Sequence, residues 1–120
     1  MEILKLLAGR KFTIFYIRGS KADVPEILDG LGDGDKDKPK AYERIDRCAE
    51  HGPPRNIEQC RKIESVKGLW ELKAGRIRIP FFYRSERGQV LLTHVFMKTK
   101  NDQSEYLYAA TVRNKAEGVN

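Results

Sequence analysis

The segment Arg76–Tyr83 places two arginines where they could bind phosphate. Alternation along a strand divides this segment and the residue after it between two faces. One face is apolar and holds Ile77, Ile79, Phe81 and Tyr83, while the other holds Arg76, Arg78, Phe82 and Arg84. Two arginines at this spacing project side by side, about 7 Å apart, and suit adjacent phosphates or one phosphate bound from two directions. A merely solvated face is the alternative.

The next predicted strand, Val90–Lys98, brings a histidine into the same region. Alternation places His94, Phe96 and Lys98 on one face, and an imidazole beside an arginine-bearing strand could serve as acid or base near a phosphate. A packed histidine that makes one hydrogen bond is the alternative. Lys98 and Lys100 fall where the strand ends, a position that suits contact with a backbone phosphate or simple solvation.

The positive charge of the chain is concentrated in one block. The net charge is +6 over 120 residues, and the block 61–100 alone holds ten Lys and Arg against three Glu. The rest of the chain is close to balanced. Because this block also carries the predicted strands, the sheet is expected to present a positive surface to a polyanion, and nucleic acid is the leading candidate.

Two conspicuous side chains in Gly68–Leu72 are predicted to be structural rather than catalytic. Trp70 could stack on a base, but an apolar neighbour on either side favours packing in the core. Glu71 is the one acid between Ser65 and Arg84, and we expect it to pair with an arginine on a neighbouring strand rather than act as a general base.

Several classes of site are not indicated by the sequence. Cys48, Cys60, His51 and His94 lack the spacing of a zinc site, so no structural metal or cofactor is expected. The glycines of 30–34 are followed by acids, which would repel phosphate. No apolar run is long enough to span a bilayer, and the first residues do not resemble a secretory signal, so a cytoplasmic location is expected.

The remaining elements follow from apolar spacing and capping residues. The segment Lys11–Arg18 is predicted to be a strand. A short helix is expected after the N-cap Asp23, with Val24, Ile27, Leu28 and Leu31 at helical spacing. A second helix is expected to begin near Pro39, end at Gly52 and bury Tyr42, Ile45, Cys48 and Ala49. A third is expected after Asn101 or Asp102, with a capping box to Glu105 and core contacts from Tyr106, Leu107, Ala109 and Ala110.

This order predicts an α+β fold with the arrangement β-α-α-β-β-β-α. Strands joined by short turns are antiparallel, so the sheet is expected to hold about four antiparallel strands. Helices grouped on one side of it would give two layers. Residues 1–120 are expected to form one domain, with a tail that frays from about Glu117.

Three segments together resemble a known family. They are Gly68–Leu72 (GLWEL), Arg76–Ile79 (RIRI) and Val90–Lys98 (VLLTHVFMK), followed by Ala109 or Ala110 with Arg113. This set resembles the phage-derived, HigB-like branch of the RelE/ParE toxin superfamily, whose pattern is roughly GLWELR, RIR, LLHGFxKK and a helix of the AxxR kind. The resemblance covers about half of the chain and implies a RelE-like twisted antiparallel sheet packed against helices.

The resemblance implies the toxin of a type II toxin–antitoxin system. Such a toxin cuts mRNA without a metal, commonly on the ribosome, and inhibits translation. Arg76 and Arg78 would bind the scissile phosphate, and His94 and Lys98 would be the acid and base candidates. Lys62 and Lys67 would hold flanking RNA. Arg84, Lys100 and Tyr83 are further candidates for RNA binding, although strand alternation favours a place in the core for Tyr83. The expected partners are mRNA, the ribosome and a cognate antitoxin, a helix-turn-helix protein encoded nearby; neither a membrane nor a small-molecule cofactor is expected.

Some positions depart from the family pattern, and other functions stay open. The paired lysines become Lys98-Thr99-Lys100, Val95 stands in place of a glycine, and the proline that often begins the last helix is replaced by Asp102-Gln103-Ser104. The alternatives are a ParE-like inhibitor of DNA gyrase without RNase activity, and a non-toxic phage-derived protein that binds nucleic acid.

Overall fold

The computed structural model describes residues 1–18 and 23–118. Within these ranges the chain forms seven strands and three helices. The strands are β1 Glu2–Ala8, β2 Thr13–Arg18, β3 Cys60–Lys62, β4 Trp70–Ala74, β5 Ile77–Tyr83, β6 Gln89–Leu92 and β7 Phe96–Met97. The helices are α1 Val24–Gly30, α2 Lys38–His51 and α3 Gln103–Ala116. None of these helices, in the part of the chain that is described, is long and apolar enough to cross a membrane.

All seven strands belong to one sheet, in the order β1-β2-β6-β5-β4-β3, with β7 paired to β5 beyond the end of β6. The α+β class is confirmed. Every neighbouring pair is antiparallel except β2 and β6, which run parallel. The sheet therefore has more strands than the sequence predicted. The N-terminal strand β1 and the short strand β3 are the two edges that were missed.

The predicted strand Val90–Lys98 is interrupted. Leu92 pairs with Phe81, whereas Phe96 pairs with Arg78, so the register slips by one residue between the two pairs. The backbone N–H of Thr93 still donates to the carbonyl of Pro80 at 2.9 Å. An extra residue of this kind is a bulge, and it separates β6 from β7.

Both faces of the sheet are covered, each by different helices. Alternate strand residues such as Ile14, Leu72 and Ile79 pack against α1 and α2 in one core. The residues between them, such as Phe82 and Leu91, pack against α3 in a second core. The helices are therefore not grouped on one side as predicted. We call the two surfaces of the sheet the α1/α2 face and the α3 face.

The ends of the helices largely follow the sequence predictions. The carboxylate of Asp23 caps α1 by accepting from the backbone N–H of Glu26 at 3.1 Å, and Gly52 ends α2 with φ 89°. At α3 the capping box is not formed, because the Asp102 carboxylate accepts from Thr99 instead. Leu107 was expected in the core and is exposed, while Val112 is buried. Of the predicted frayed tail, Val119 and Asn120 lie outside the described residues.

The turn between β4 and β5 is tied to the start of α2. Gly75 adopts φ 62°, and the Asp37 carboxylate accepts from the backbone N–H of Arg76 at 3.0 Å. That hydrogen bond is the main reason why the pKa of Asp37 lies below its usual value. A Cβ atom on Gly75 would overlap this carboxylate. The turn thus sets where β5 begins, and with it the position of both arginines of the RIR segment.

We predict that Gly75→Ala destabilises the protein by about 1–3 kcal/mol, because alanine combines an unfavourable positive φ with overlap on Asp37. Gly34→Ala is the matched control, since a Cβ there meets nothing within 4 Å. Urea unfolding of the two variants measures the difference. Equal stabilities would contradict the role given to this turn.

Candidate functional site

The carboxylate of Glu71 is fully buried between the sheet and α3. It accepts hydrogen bonds from Arg61 Nε at 2.6 Å and from the Tyr106 hydroxyl at 3.1 Å. Arg61 also donates from Nη2 to the Tyr106 hydroxyl at 3.0 Å. Since Arg61 in β3 stands opposite Glu71 in β4, the expected pairing of Glu71 with an arginine on a neighbouring strand is confirmed.

This network shifts the pKa values of Arg61 and Tyr106. The hydrogen bond to Glu71 is the main cause that raises the pKa of Arg61, so its guanidinium stays charged. Burial, followed by the charge of Glu71, raises the pKa of Tyr106, so its hydroxyl keeps its proton. The Arg61 side chain is 37% exposed. One side of the guanidinium is therefore hydrogen-bonded to the buried groups of Glu71 and Tyr106, while the rest reaches the surface.

Lys73 is close enough to three other cations on the α3 face for their charges to act on it. It pairs across β4 and β5 with Arg78 and shares the face of Glu71 by alternation. Partial burial is the main cause that lowers its pKa, and the charges of Arg61, Arg78 and Lys98 lower it further. We call Arg61, Lys73, Arg78 and Lys98 the cationic cluster. An ammonium among three other cations favours a neighbouring anion.

Arg78 is the buried member of the cationic cluster. Its Nη1 donates to the carbonyls of Gly75 at 2.6 Å and Ile77 at 3.0 Å. These bonds anchor the guanidinium to the β4–β5 turn. Its charge is therefore held in a fixed place on the strand beside Lys73, where it acts on the site without side-chain rearrangement.

Lys98 and Arg76 lie together at the rim. The backbone N–H of Lys98 donates to the carbonyl of Arg76 at 2.8 Å, which extends the pairing of β5 with β7 by one step. The Lys98 side chain is 53% exposed, with its ammonium 4.0 Å from the Asp102 carboxylate. Arg76 is exposed. Two of the four predicted catalytic residues, Arg78 and Lys98, thus belong to the cluster, and Arg76 borders it.

His94 does not share this surface. Its side chain is 2% exposed, Nδ1 lies 2.9 Å from the Thr93 hydroxyl, and Nε2 lies 3.5 Å from a Glu105 carboxylate oxygen on α3. The ring also stacks on Phe96 and meets Tyr108 edge-on. The expectation of an accessible His94 beside the arginines is corrected, because the bulge between β6 and β7 carries the imidazole beneath α3.

Two residues predicted to bind RNA are oriented away from the cluster. Tyr83 lies on the α1/α2 face in contact with Phe12 and Trp70, and burial raises its pKa to about 12. Lys62 pairs with Trp70 and therefore projects toward that same face. The packing of Trp70 against the α1/α2 core agrees with the structural role expected for it.

The other three predicted residues are not members of the cluster. Arg84 is six positions from Arg78, about 20 Å along a strand, and its guanidinium sits 5.1 Å over the ring of Phe15. Lys67 is exposed in the segment before β4, where its carbonyl accepts from Arg113. Lys100 is exposed between β7 and α3.

Sequence reasoning missed Arg61, Lys73 and Tyr106 as members of a site. Alternation within Trp70–Ala74 already placed Lys73 on the face of Glu71, and this signal could have been used. The position of Arg61 depends on the β3–β4 register, which no local pattern reveals. In the described ranges, no three His, Cys, Asp or Glu side chains are grouped so that they could hold a metal ion.

One comparison with known proteins gives a match. The model of the family described as phage-derived protein Gp49-like (DUF891) matches residues 28–114, more than two thirds of the chain. The matched range contains α2, strands β3 to β7 and most of α3, and so the whole cationic cluster. No curated protein sequence matches the chain.

We predict that Arg61→Ala destabilises the protein by about 3–5 kcal/mol, because it leaves the buried Glu71 carboxylate without its cation. Arg10→Ala is the comparison, since Arg10 and Glu50 form an ion pair at 3.6 Å on the surface. Arg10→Ala should lower the free energy of unfolding by less than about 1 kcal/mol. Chemical denaturation with guanidinium chloride measures both free energies of unfolding. A decrease for Arg61→Ala as small as that for Arg10→Ala would show that this network does not stabilise the fold.

Proposed function

The chain belongs to the phage-derived Gp49-like family, and we propose that it is the toxin of a type II toxin–antitoxin system that cleaves mRNA. The family is toxin-like and related to RelE and HigB. The observation that carries the proposal is the cationic cluster, in which the charges of Arg61 of β3, Arg78 of β5 and Lys98 after β7 act on the Lys73 ammonium of β4. Fixed cations at one place are what a phosphodiester needs as its charge develops.

The chemistry proposed is attack by the RNA 2′-hydroxyl on the adjacent phosphate. The 2′-oxygen bonds to phosphorus as the bond from phosphorus to the 5′-oxygen breaks, which leaves a 2′,3′-cyclic phosphate and a 5′-hydroxyl. Arg61 and Arg78 would stabilise the charge on the non-bridging oxygens. Arg76, exposed at the rim, would hold the phosphate during binding.

Proton transfer is assigned to the two lysines of the cluster. Burial and neighbouring cations lower the pKa of Lys73, which favours this residue over an ordinary lysine as the acceptor of the 2′ proton. The exposed ammonium of Lys98 would donate a proton to the departing 5′-oxygen. His94 has no direct part in this scheme, because its ring is buried under α3.

The partners follow from the same proposal. The family is expected to pair each toxin with an antitoxin, and we propose a helix-turn-helix protein encoded nearby for this chain. Messenger RNA, presented on the ribosome, would be the substrate. Lys100, exposed beside Lys98, would contact a flanking phosphate.

We predict that Arg78→Ala and Lys73→Met each lower transcript cleavage on translating ribosomes by about 10²-fold or more, since each removes charge stabilisation or the proposed base. Arg84→Ala is the matched control on the same strand side, and it should cleave within about threefold of wild type. Primer extension on a reporter mRNA gives the cleavage rate, and growth after induction gives toxicity.

The alternatives produce different patterns. If the two cluster variants still arrest growth and wild-type protein cuts no transcript, the RNase proposal is wrong. Inhibition of DNA gyrase, as by a ParE-like toxin, is then favoured. If wild-type protein is harmless when induced alone, both toxin assignments fail. Circular dichroism of each variant separates loss of chemistry from loss of fold.

We predict that the cleavage rate at saturating RNA rises with pH as Lys73 loses its proton. Because the pKa of Lys73 is lowered, the rate should level off at a pH below about 10.4, the pKa of an ordinary lysine. Lys73→Arg stays protonated and should lack the rise altogether. A rate–pH profile of the variant that retains the wild-type rise would show that another group is the base.

A further inference from the structure

A groove lies beside the cationic cluster, at the end of the sheet that β3 forms. It encloses about 350 Å³ and is lined by residues of β3, by Trp70 and by residues on either side of β3. Arg61 lines this groove and also belongs to the cationic cluster. Because pockets for small ligands hold about 300–1,000 Å³, the groove suits a single group of the size of a nucleotide.

The indole of Trp70 is half-buried and offers part of its surface to the groove. The rest packs against the α1/α2 core and lies edge-on to the ring of Tyr83, with 6.2 Å between the centroids. Ile57, which is 68% exposed, lines the same groove. An aromatic ring beside an exposed apolar side chain is the kind of surface on which an unstacked RNA base packs.

The charged residues of the groove carry both signs. Three cations line it, Arg55, Arg61 and Lys62, and they favour the phosphates of a nucleic acid. Among the described residues that line the groove, Glu64 is the single acid, and it is exposed. An ionised carboxylate only accepts hydrogen bonds, so it fits the donors of a base edge rather than a phosphate.

Guanine is the base whose edge matches a carboxylate. Its Watson–Crick edge presents two neighbouring donors, N1–H and the N2 amino group, and the two oxygens of Glu64 can accept from both. Adenine, cytosine and uracil each place an acceptor beside the donor on this edge. A carboxylate facing any of these three bases would therefore meet an acceptor, which repels it.

Resting on the proposed function, we propose that this groove is the subsite for a guanine nucleotide of the RNA, next to the phosphate that is cleaved. The base packs on Trp70 and Ile57 and donates to Glu64, while the cations of the groove bind the flanking phosphates. Arg61 joins the subsite to the cationic cluster. The groove thereby supplies a choice of sequence, which contacts with phosphate alone do not carry.

The test uses the fluorescence of Trp70, the single tryptophan of the chain. The probes are the 2′-O-methyl hexanucleotides UUGUUU, UUAUUU and UUIUUU, which lack the attacking hydroxyl and so resist cleavage. Inosine, written I, lacks the N2 amino group of guanosine. We expect UUGUUU to quench the fluorescence and to bind at least about fivefold more tightly than either of the other probes.

The variant Glu64→Gln separates recognition of the base from the effect of charge. An amide presents a donor beside its acceptor, so the preference for UUGUUU should fall to within about twofold while all three probes bind slightly more tightly. Glu58→Gln is the matched control, since Glu58 is exposed just before β3 and is not among the described residues that line the groove. This control loses the same charge and should keep the preference for guanine.

Several outcomes would overturn the subsite. They are equal affinities of wild-type protein for the three probes, and an unchanged preference for UUGUUU in Glu64→Gln. Binding of UUGUUU that shifts the Arg78 Nε–H signal without quenching Trp70 would also overturn it, and would leave the proposed cleavage site standing. If no probe shifts Arg78 or quenches Trp70, both this subsite and RNA as the substrate are wrong.

Discussion

The burial of one carboxylate organises the charged side of this molecule. Glu71 carries its charge in a site without solvent contact, and such a charge is tolerated only with a cation and further hydrogen bonds. Arg61 and Tyr106 supply both, from the edge strand β3 and from α3. These contacts join β3, β4 and α3 on the face of the sheet that Lys73 and Arg78 also occupy.

The consequence is a balance between attraction and repulsion. Glu71 offsets part of the mutual repulsion of Arg61, Lys73, Arg78 and Lys98, but these four cations outnumber it. After burial, which is the main cause, the charges of the other three cations lower the pKa of Lys73 further. Such a surplus weakens the isolated fold slightly and strengthens binding of an anion. The same property that makes the cluster costly in the free protein thus favours an anion, which under the proposed function is the RNA phosphate.

Local patterns predicted much of the fold. The caps at Asp23 and Gly52, the proline of α2 and the apolar alternation of Ile77, Ile79 and Phe81 are all properties of short segments, and each was read from the sequence. Strand β1 was missed because its apolar residues gave no clear alternation. The placement of α3 on the opposite face was missed because it depends on which side of the sheet the chain crosses.

The site was harder to predict than the fold, for a physical reason. Arg78 and Lys98 were identified by strand parity and family resemblance, and both lie in the cluster. A single inserted residue between Leu92 and Phe96 moved His94 under α3, and nothing local marks that insertion. Arg61 and Lys73 meet only through the registers of β3, β4 and β5, so a reading of one strand at a time does not find them.

The central claim is that phosphate meets the cationic cluster on the α3 face. Its most direct test is a titration of the arginine Nε–H signals with an oligonucleotide that carries a 2′-deoxy sugar at the scissile position and so resists cleavage. The account predicts that Arg61 and Arg78 shift together and saturate at one affinity while Arg84 stays unchanged. Shifts at Arg84 without any at Arg61 and Arg78 would contradict it.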